Sequence, residues 1–346
     1  MKTHNSIPII KVKARDHYSF GFQIGRQLRH EIQARIRENK KIYRELFKKN
    51  FKQLIPYAHK FLPQTEKYFP HYLTEAQAMS EGARVPFREL FVIICEEELA
   101  HDKSIPRCTS IALKLRKHEA LLAHNEDWLP SYRDNGLALI HGTFKGRSFL
   151  ALTFMASMVG SSCAVTDRGF CYATNSIDFK KFSHGIPRPF ILRALLDVKK
   201  HDEVIKILDL CQQGLGGNFM FAWADGVIGD VEEFGQRHTV FRDKQFLAHT
   251  NHPLHKKNQN RNNTYKSSVA RYKQVRALLR TQKTFSVPFV KRVLSEHKAG
   301  ICAHEENRRS LYGATIASVV MNPKKGWMDV CAGNPCQNHY QRFTLN

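Results

Sequence analysis

The sequence predicts an α+β fold, with a mostly helical stretch over residues 1–107 and a strand-rich domain over residues 108–346. Three observations carry this. Ile24, Leu28, Ile32 and Ile36 recur every four residues with Arg and Lys between them, the stripe of an amphipathic helix. After Arg107 the texture switches to short segments of strand character joined by turns containing Gly, Lys or Asp. Runs of strands, then helices, then strands follow, an order that argues for layers with antiparallel sheets.

In chain order, Ile7–Lys13 reads as a short strand and helix begins near Asp16, with Gly21 and Gly25 interrupting its start. Further helix is expected from about Phe51 to Leu62 and Leu73 to Gly82, punctuated by Pro56, Pro63 and Pro70. Strands are expected at Thr109–Leu115, Ala120–Asn125, Gly136–Thr143, Ser148–Phe154, Met158–Thr166 and Phe170–Asn175. Asp167-Arg168-Gly169 forms a hairpin turn between the last two. Helices are expected at Pro189–Lys199 and Asp202–Cys211, then strands at Phe219–Ala224, Val227–Phe234, Thr239–Phe241 and Gln245–Ala248. Helices at Tyr265–Arg280 and Val287–Glu296 precede two closing strands, Thr315–Met321 and Trp327–Cys331.

The 346 residues suffice for a sizeable core, and a hydrophobic share of 42% with 25% charged residues excludes a disordered chain. No window approaches the roughly 18 apolar residues of a membrane span, and Lys11 and Lys13 break up any secretory h-region, so a cytoplasmic location is expected. The net charge of +23 raises nucleic acid, an anionic surface or an acidic ligand as partners. It is spread over the chain, and no recognition motif interleaves it with aromatic residues, so a basic nucleic-acid-binding protein is the alternative rather than the leading reading. The densest stretch, His255 to Arg280, is expected to be a solvated loop and the wet face of a helix.

None of the eight cysteines forms a C-x-x-C pair, and His249 and His252 have no Cys or carboxylate following at ligand spacing. No metal site and no cofactor is expected. Cys163, Cys171 and Cys331 sit in apolar runs as small buried hydrophobes. Cys108 stands apart, since it opens the first strand of the sheet-rich domain. If Thr109–Leu115 and Ala120–Asn125 form a hairpin, the end of the second strand returns beside Cys108 and brings Asp127 to its sulfur or backbone nitrogen. A carboxylate alone is a poor base for a thiol; the α-amino group of an N-terminal cysteine, with a reference pKa of about 7.7–8.0, is a better one. That chemistry requires a cut between Arg107 and Cys108.

Cys108-Thr-Ser-Ile, with Asn125-Glu-Asp-Trp after it, resembles the cysteine N-terminal-nucleophile hydrolases, and most closely the autoproteolytic acyl-coenzyme A:6-aminopenicillanate acyltransferase family. The likeness continues through Ala164-Val-Thr-Asp-Arg-Gly, Gly185-Ile-Pro-Arg-Pro-Phe, Asn218-Phe-Met-Phe-Ala-Trp and His249-Thr-Asn-His-Pro-Leu, and includes Ser80-Glu-Gly-Ala-Arg-Val-Pro-Phe. It implies a four-layer αββα sandwich and a zymogen that cleaves itself at Arg107–Cys108, leaving residues 1–107 as a small chain associated with the large one. It further implies Cys108 as nucleophile, Asp127 positioning the new amine, Asn251 as oxyanion donor, and His124 and Asn125 near the substrate. Many relatives have Gly before the nucleophile where this chain has Arg107, and some have Arg where this chain has His124. The expected partner is an acylated small molecule, acyl-coenzyme A among the candidates, with hydrolysis and transfer both open.

Overall fold

A computed structural model of the chain describes residues 7–100, 108–116, 118–177, 183–210, 217–233, 238–241, 245–259, 266–304 and 313–345. Strands are numbered in chain order. One sheet runs β1 (Ile9–Ala14), β4 (Leu137–Phe144), β5 (Arg147–Phe154), β6 (Cys163–Thr166), β7 (Phe170–Ser176), β8 (Gly217–Trp223), β9 (Ile228–Glu233) and β10 (His238–Phe241). The other runs β11 (Phe246–His249), β2 (Thr109–Arg116), β3 (Glu119–Trp128), β12 (Ala314–Asn322), β13 (Trp327–Ala332) and β14 (Gln341–Thr344). The pairing is antiparallel, as expected, except that β1 lies parallel to β4, with Ile9 opposite Leu139 and Ala14 opposite Phe144.

Alternation along the strands sorts the apolar residues into three interfaces. Ala112 and Leu122 of the six-stranded sheet meet Leu152, Cys163, Cys171 and Met220 of the eight-stranded sheet. Ile140, Ala151, Ala164 and Phe221 face outward on the eight-stranded sheet and pack against Phe20, Ile24, Ile32, Ile36 and Phe91 of the N-terminal helices. Ile111, Leu121 and Ala123 face outward on the six-stranded sheet, under Val275, Leu279, Val290 and Leu294 of helices Lys266–Arg280 and Val287–Leu294. The result is the expected four-layer αββα sandwich. Cys163, Cys171 and Cys331 are fully buried packing residues.

The N-terminal stretch is helical over His17–Gln27, Arg29–Phe47, Phe51–His59, Leu62–Tyr68, Pro70–Ala83, Phe87–Ile94 and Glu96–Leu99. Asp16 caps the first helix by accepting from the Ser19 amide at 2.7 Å. Gly21 and Gly25 lie inside this helix rather than interrupting it: a Cβ there would come 2.0 Å from the carbonyl oxygens of Glu75 and Met79, so they permit the close crossing with Pro70–Ala83. Pro56 likewise falls inside a helix, while Pro63 and Pro70 stand at helix starts, where a missing amide proton costs nothing. This stretch shares one core with the eight-stranded sheet and supplies its edge strand β1.

One expected strand is shorter than its apolar run suggests. Met158–Thr166 pairs only from Cys163 onward, because the Phe154 amide donates to Ser161 Oγ at 2.9 Å and Gly160 adopts φ +79°. The chain therefore turns back before β6 and presents Ser162 to the space between the sheets.

Candidate active site

Cys108 immediately precedes β2, and the register pairs Thr109 with Asn125 and Ser110 with His124. Directly opposed residues share a face, so Cys108, Ser110, His124 and Glu126 project toward the eight-stranded sheet, while Thr109, Asn125 and Asp127 take the other face. Cys108 Sγ donates to Glu126 Oε1 at 3.1 Å and lies 3.6 Å from the Asp127 carbonyl oxygen. Glu126 Oε2 accepts from Ser162 Oγ at 2.5 Å and contacts His124 Nε2 at 3.3 Å. His124 Nδ1 is 2.9 Å from Ser110 Oγ, which donates to Asn175 Oδ1 at 3.2 Å. Asn175 Nδ2 in turn donates to Asn218 Oδ1 at 2.6 Å. All are buried, so the array is a continuous hydrogen-bonded path leading away from one thiol.

Burial, followed by the charges of Glu126 and then Asp127, holds the Cys108 thiol well above its ordinary range. The sulfur is therefore a protonated thiol with a carboxylate against it. Cys108 Sγ, His124 and Glu126 also form a triad whose donor atoms lie within 4.8 Å of one another, small enough to hold a metal ion. Each of these atoms already has a hydrogen-bond partner in the path above.

The six expected residues divide. Cys108, His124 and Asp127 come together, but the carboxylate that accepts from the thiol belongs to Glu126. Asp127 is fully buried on the neighbouring pleat, paired with Thr315 of β12. Asn125 lies on the opposite face of β3 from Cys108 and Glu126: it donates to the Leu294 and Ile301 carbonyls at 2.9 and 2.8 Å and accepts from Ser318 Oγ at 2.6 Å, tying β3 to the outer helical layer. Asn251 joins the site indirectly, its Oδ1 accepting from Arg271 Nη2 at 2.8 Å while its Nδ2 donates to the Ser176 carbonyl at 2.9 Å. The sixth, Arg107, falls outside the described residues.

Arg271 corrects the reading of the basic stretch. It is 1% exposed, on the inward face of helix Lys266–Arg280 with Ser268, Val275 and Leu279. Its Nη1 donates to the Cys108 carbonyl at 2.5 Å and to Thr109 Oγ1 at 3.0 Å. One guanidinium thus fixes the backbone of Cys108 and the side chain of Asn251. The spacing of Arg271 from Val275 and Leu279 is the signal that could have found it. For Glu126 the signal was the pleat, which sets alternate residues on opposite faces. His249 and His252 are structural, the first bonded to Glu232 at 3.1 Å and the second to Ser268 Oγ at 2.7 Å.

A small cavity beside Trp128 and Ser161 is lined by Ile93, Ile94, Glu96, Glu97, Phe154 and Met155. Burial raises the Glu96 carboxyl from 4.5 to about 7, against a hydrogen bond from Tyr132 Oη at 2.6 Å. A carboxyl raised on folding binds its proton more tightly in the folded chain, so its contribution is fully present below 4.5 and is lost as pH rises through about 7. The loss is on the order of 3 kcal/mol. Glu96→Gln is therefore expected to gain several degrees in Tm relative to wild type between pH 5 and pH 8. A pH-independent difference between the two melting curves would refute this.

The family model for acyl-coenzyme A:6-aminopenicillanic acid acyl-transferase matches residues 115–337. The chain belongs to this family. The matched stretch holds Glu126, Asp127, Asn175, Asn251 and Arg271 and begins just after Cys108. Among curated proteins, this acyl-transferase family member is similar to a β-alanyl-dopamine/carcinine hydrolase of Drosophila melanogaster, 25% identical over 224 residues, or 59% of this chain. The match spans 57% of that relative's length. Among solved structures it is similar to a conjugated bile acid hydrolase from Clostridium perfringens, with 14% identity, a TM-score of 0.47, and 69% of this chain and 97% of that one covered. A penicillin V acylase from Agrobacterium tumefaciens gives 10% identity and a TM-score of 0.36 over 65% of this chain and 83% of that one. Among the described residues no helix is long and apolar enough to cross a membrane.

Proposed function

We propose that this acyl-transferase family member cuts itself between Arg107 and Cys108 and then uses the Cys108 thiol to take an acyl group from an amide or thioester. The observation that carries this reading is the placement of Cys108: a buried thiol at the head of a strand, donating to Glu126, with its own carbonyl clamped by Arg271. In maturation, Sγ attacks the carbonyl carbon of residue 107 and the amide becomes a thioester. Water releases it, leaving residues 1–107 as the small chain and a free amine on Cys108. The thiol is held protonated where it stands, so a base must accept its proton before it attacks. Glu126 is the acceptor in contact with it before the cut; the new amine takes over afterwards, with a reference pKa of about 7.7–8.0.

In turnover, Sγ adds to the acyl carbon and the amine takes the thiol proton, then gives it to the leaving amine as the acyl-thioester forms. Water or a second amine accepts the acyl group. Asp127 positions the Cys108 amine. Asn251 donates to the oxyanion, for which its Nδ2 must exchange the Ser176 carbonyl for the substrate oxygen. His124, held between Glu126 and Ser110, lies at the inner end of the site. A small N-acyl amine is the substrate class in keeping with the name of the Drosophila relative.

The reading is tested by the intact mass of purified protein under denaturing conditions, followed by acyl release from a panel of small N-acyl amines and acyl-coenzyme A thioesters. Two fragments, the larger beginning at Cys108, together with thiol-dependent acyl release, are expected. A chain that stays whole and still turns over would rule out the free-amine mechanism.

Asn251 separates turnover from maturation. On already cut protein, Asn251→Ala is expected to lower kcat about 100-fold or more with a smaller change in KM, since an oxyanion donor acts on charge absent from the ground state. A change confined to KM would reduce Asn251 to a substrate contact.

A further inference from the structure

We propose that His297, Cys302, His304 and Cys336 form a zinc site on the six-stranded-sheet side of the molecule, separate from the cluster around Cys108. Each residue offers one donor atom, and the four atoms lie within 4.8 Å of one another. Cys302 Sγ is 3.5 Å from Cys336 Sγ and 3.7 Å from His304 Nε2. His304 Nε2 is 3.2 Å from Cys336 Sγ and 3.2 Å from His297 Nε2. Zinc bonds of about 2.3 Å to sulfur and about 2.05 Å to nitrogen, set at tetrahedral angles, place two sulfurs about 3.8 Å apart, two nitrogens about 3.3 Å apart and a sulfur–nitrogen pair about 3.6 Å apart. These four of the six separations fall within about half an ångström of those edges, and the two from His297 to the sulfurs lie within 4.8 Å, so the ligands are gathered close to a tetrahedral set.

The donor set decides the metal class. Two thiolates and two imidazoles select a soft or borderline ion that accepts tetrahedral geometry, and zinc is the ion that meets both conditions without redox chemistry. Four protein ligands leave no open position, which makes the site structural rather than catalytic. Its surroundings orient the ligands as metal sites do: Asn334 Nδ2 donates to Cys302 Sγ at 3.3 Å and to the Ala303 carbonyl at 2.8 Å. Cys302 is buried while His297, His304 and Cys336 are exposed, so an ion can enter from solvent.

The ligands come from separate loops, which is why no spacing motif marks them. His297 follows helix Val287–Leu294, Cys302 and His304 lie in the turn leading toward β12, and Cys336 lies in the turn after β13. That turn is locked to the catalytic strands: the Ala303 amide donates to Thr315 Oγ1 and the Thr315 amide to the Ala303 carbonyl, both at 2.9 Å. Thr315 is the residue paired with Asp127. A zinc ion here fastens the approach to β12 onto the turn beyond β13.

The experiment uses the full chain, expressed with zinc supplied and purified without chelator. Elemental analysis is expected to give one zinc per chain in wild type and in Cys108→Ala, and less than a tenth of that in Cys302→Ser and in Cys336→Ser. Asn334→Ala is expected to weaken zinc binding about 10-fold. Wild type stripped by chelator is expected to lose Tm, to regain it on titration with zinc alone, and to show the absorption of tetrahedral thiolate-bound cobalt when cobalt is added instead; this arm decides the matter if a ligand variant does not fold. Zinc retained by Cys336→Ser but lost by Cys108→Ala would move the metal to the other cluster and overturn the proposal. So would a Cys302–Cys336 disulfide in metal-free protein, or stoichiometric copper or iron in place of zinc.

Discussion

Cys108→Ala is expected to yield a single uncut chain of 346 residues with acyl release lowered by about 10⁴-fold or more. In the proposed mechanism both effects follow from one atom, because the same sulfur performs the cut and forms the acyl-thioester. The substitution is sterically mild, since the thiol's contacts with Glu126 and the Asp127 carbonyl are polar and no apolar group is removed. The fold should therefore survive, and a melting curve near that of wild type makes the activity loss interpretable. Denaturing mass and acyl release measured on the same preparation check both halves. A Cys108→Ala protein that is still cut would assign cleavage to an external protease. One that is uncut yet active would take the thiol out of the chemistry.

The second large effect belongs to Glu126, which the hairpin logic overlooked in favour of its neighbour. Glu126→Gln preserves shape but removes the acceptor charge facing the thiol, and it places an amide where Ser162, His124 and Cys108 all need an acceptor. Loss of a positioned base is worth about 10²–10⁴-fold. The variant is expected to slow self-cleavage by that amount, followed over hours by denaturing mass. Asp127→Asn is expected to cut at a rate closer to wild type and to lose turnover, because its partner is the amine that exists only afterwards. The reverse pattern would give Asp127 the base role and leave Glu126 as packing.

Much of the architecture was legible because its signals are local. The pairing of β2 with β3 follows from two apolar runs around a short polar turn, and the turn at Asp167-Arg168-Gly169 is confirmed by φ +69° at Gly169. What was not legible depends on residues far apart in sequence. The parallel pairing of β1 with β4 spans well over a hundred residues and carries no turn signal. Arg271 reads as one more solvated cation until the helix is rolled onto the sheet, when Val275 and Leu279 carry it inward. The hairpin argument brought the end of β3 to the sulfur but chose Asp127 over Glu126, whereas the pleat turns alternate residues to opposite sides and gives the sulfur its neighbour. The four loop ligands were invisible because coordination spheres are read in space, and these meet across 40 residues of chain, from His297 to Cys336.

If the chain is cut as proposed, the strand contributed by Ile9–Ala14 also changes what kind of folding problem the processed form poses. Before the cut, finding β4 is a unimolecular search, with the tether keeping both partners at high local concentration. A chain severed before Cys108 keeps that strand only by non-covalent contact, so once denatured and diluted it must find its sheet by bimolecular encounter. Recovery would then depend on protein concentration, and the precursor would refold where the processed form does not. Maturation would in this way exchange thermodynamic reversibility for kinetic persistence, the lifetime of the assembled form being set by its unfolding barrier alone.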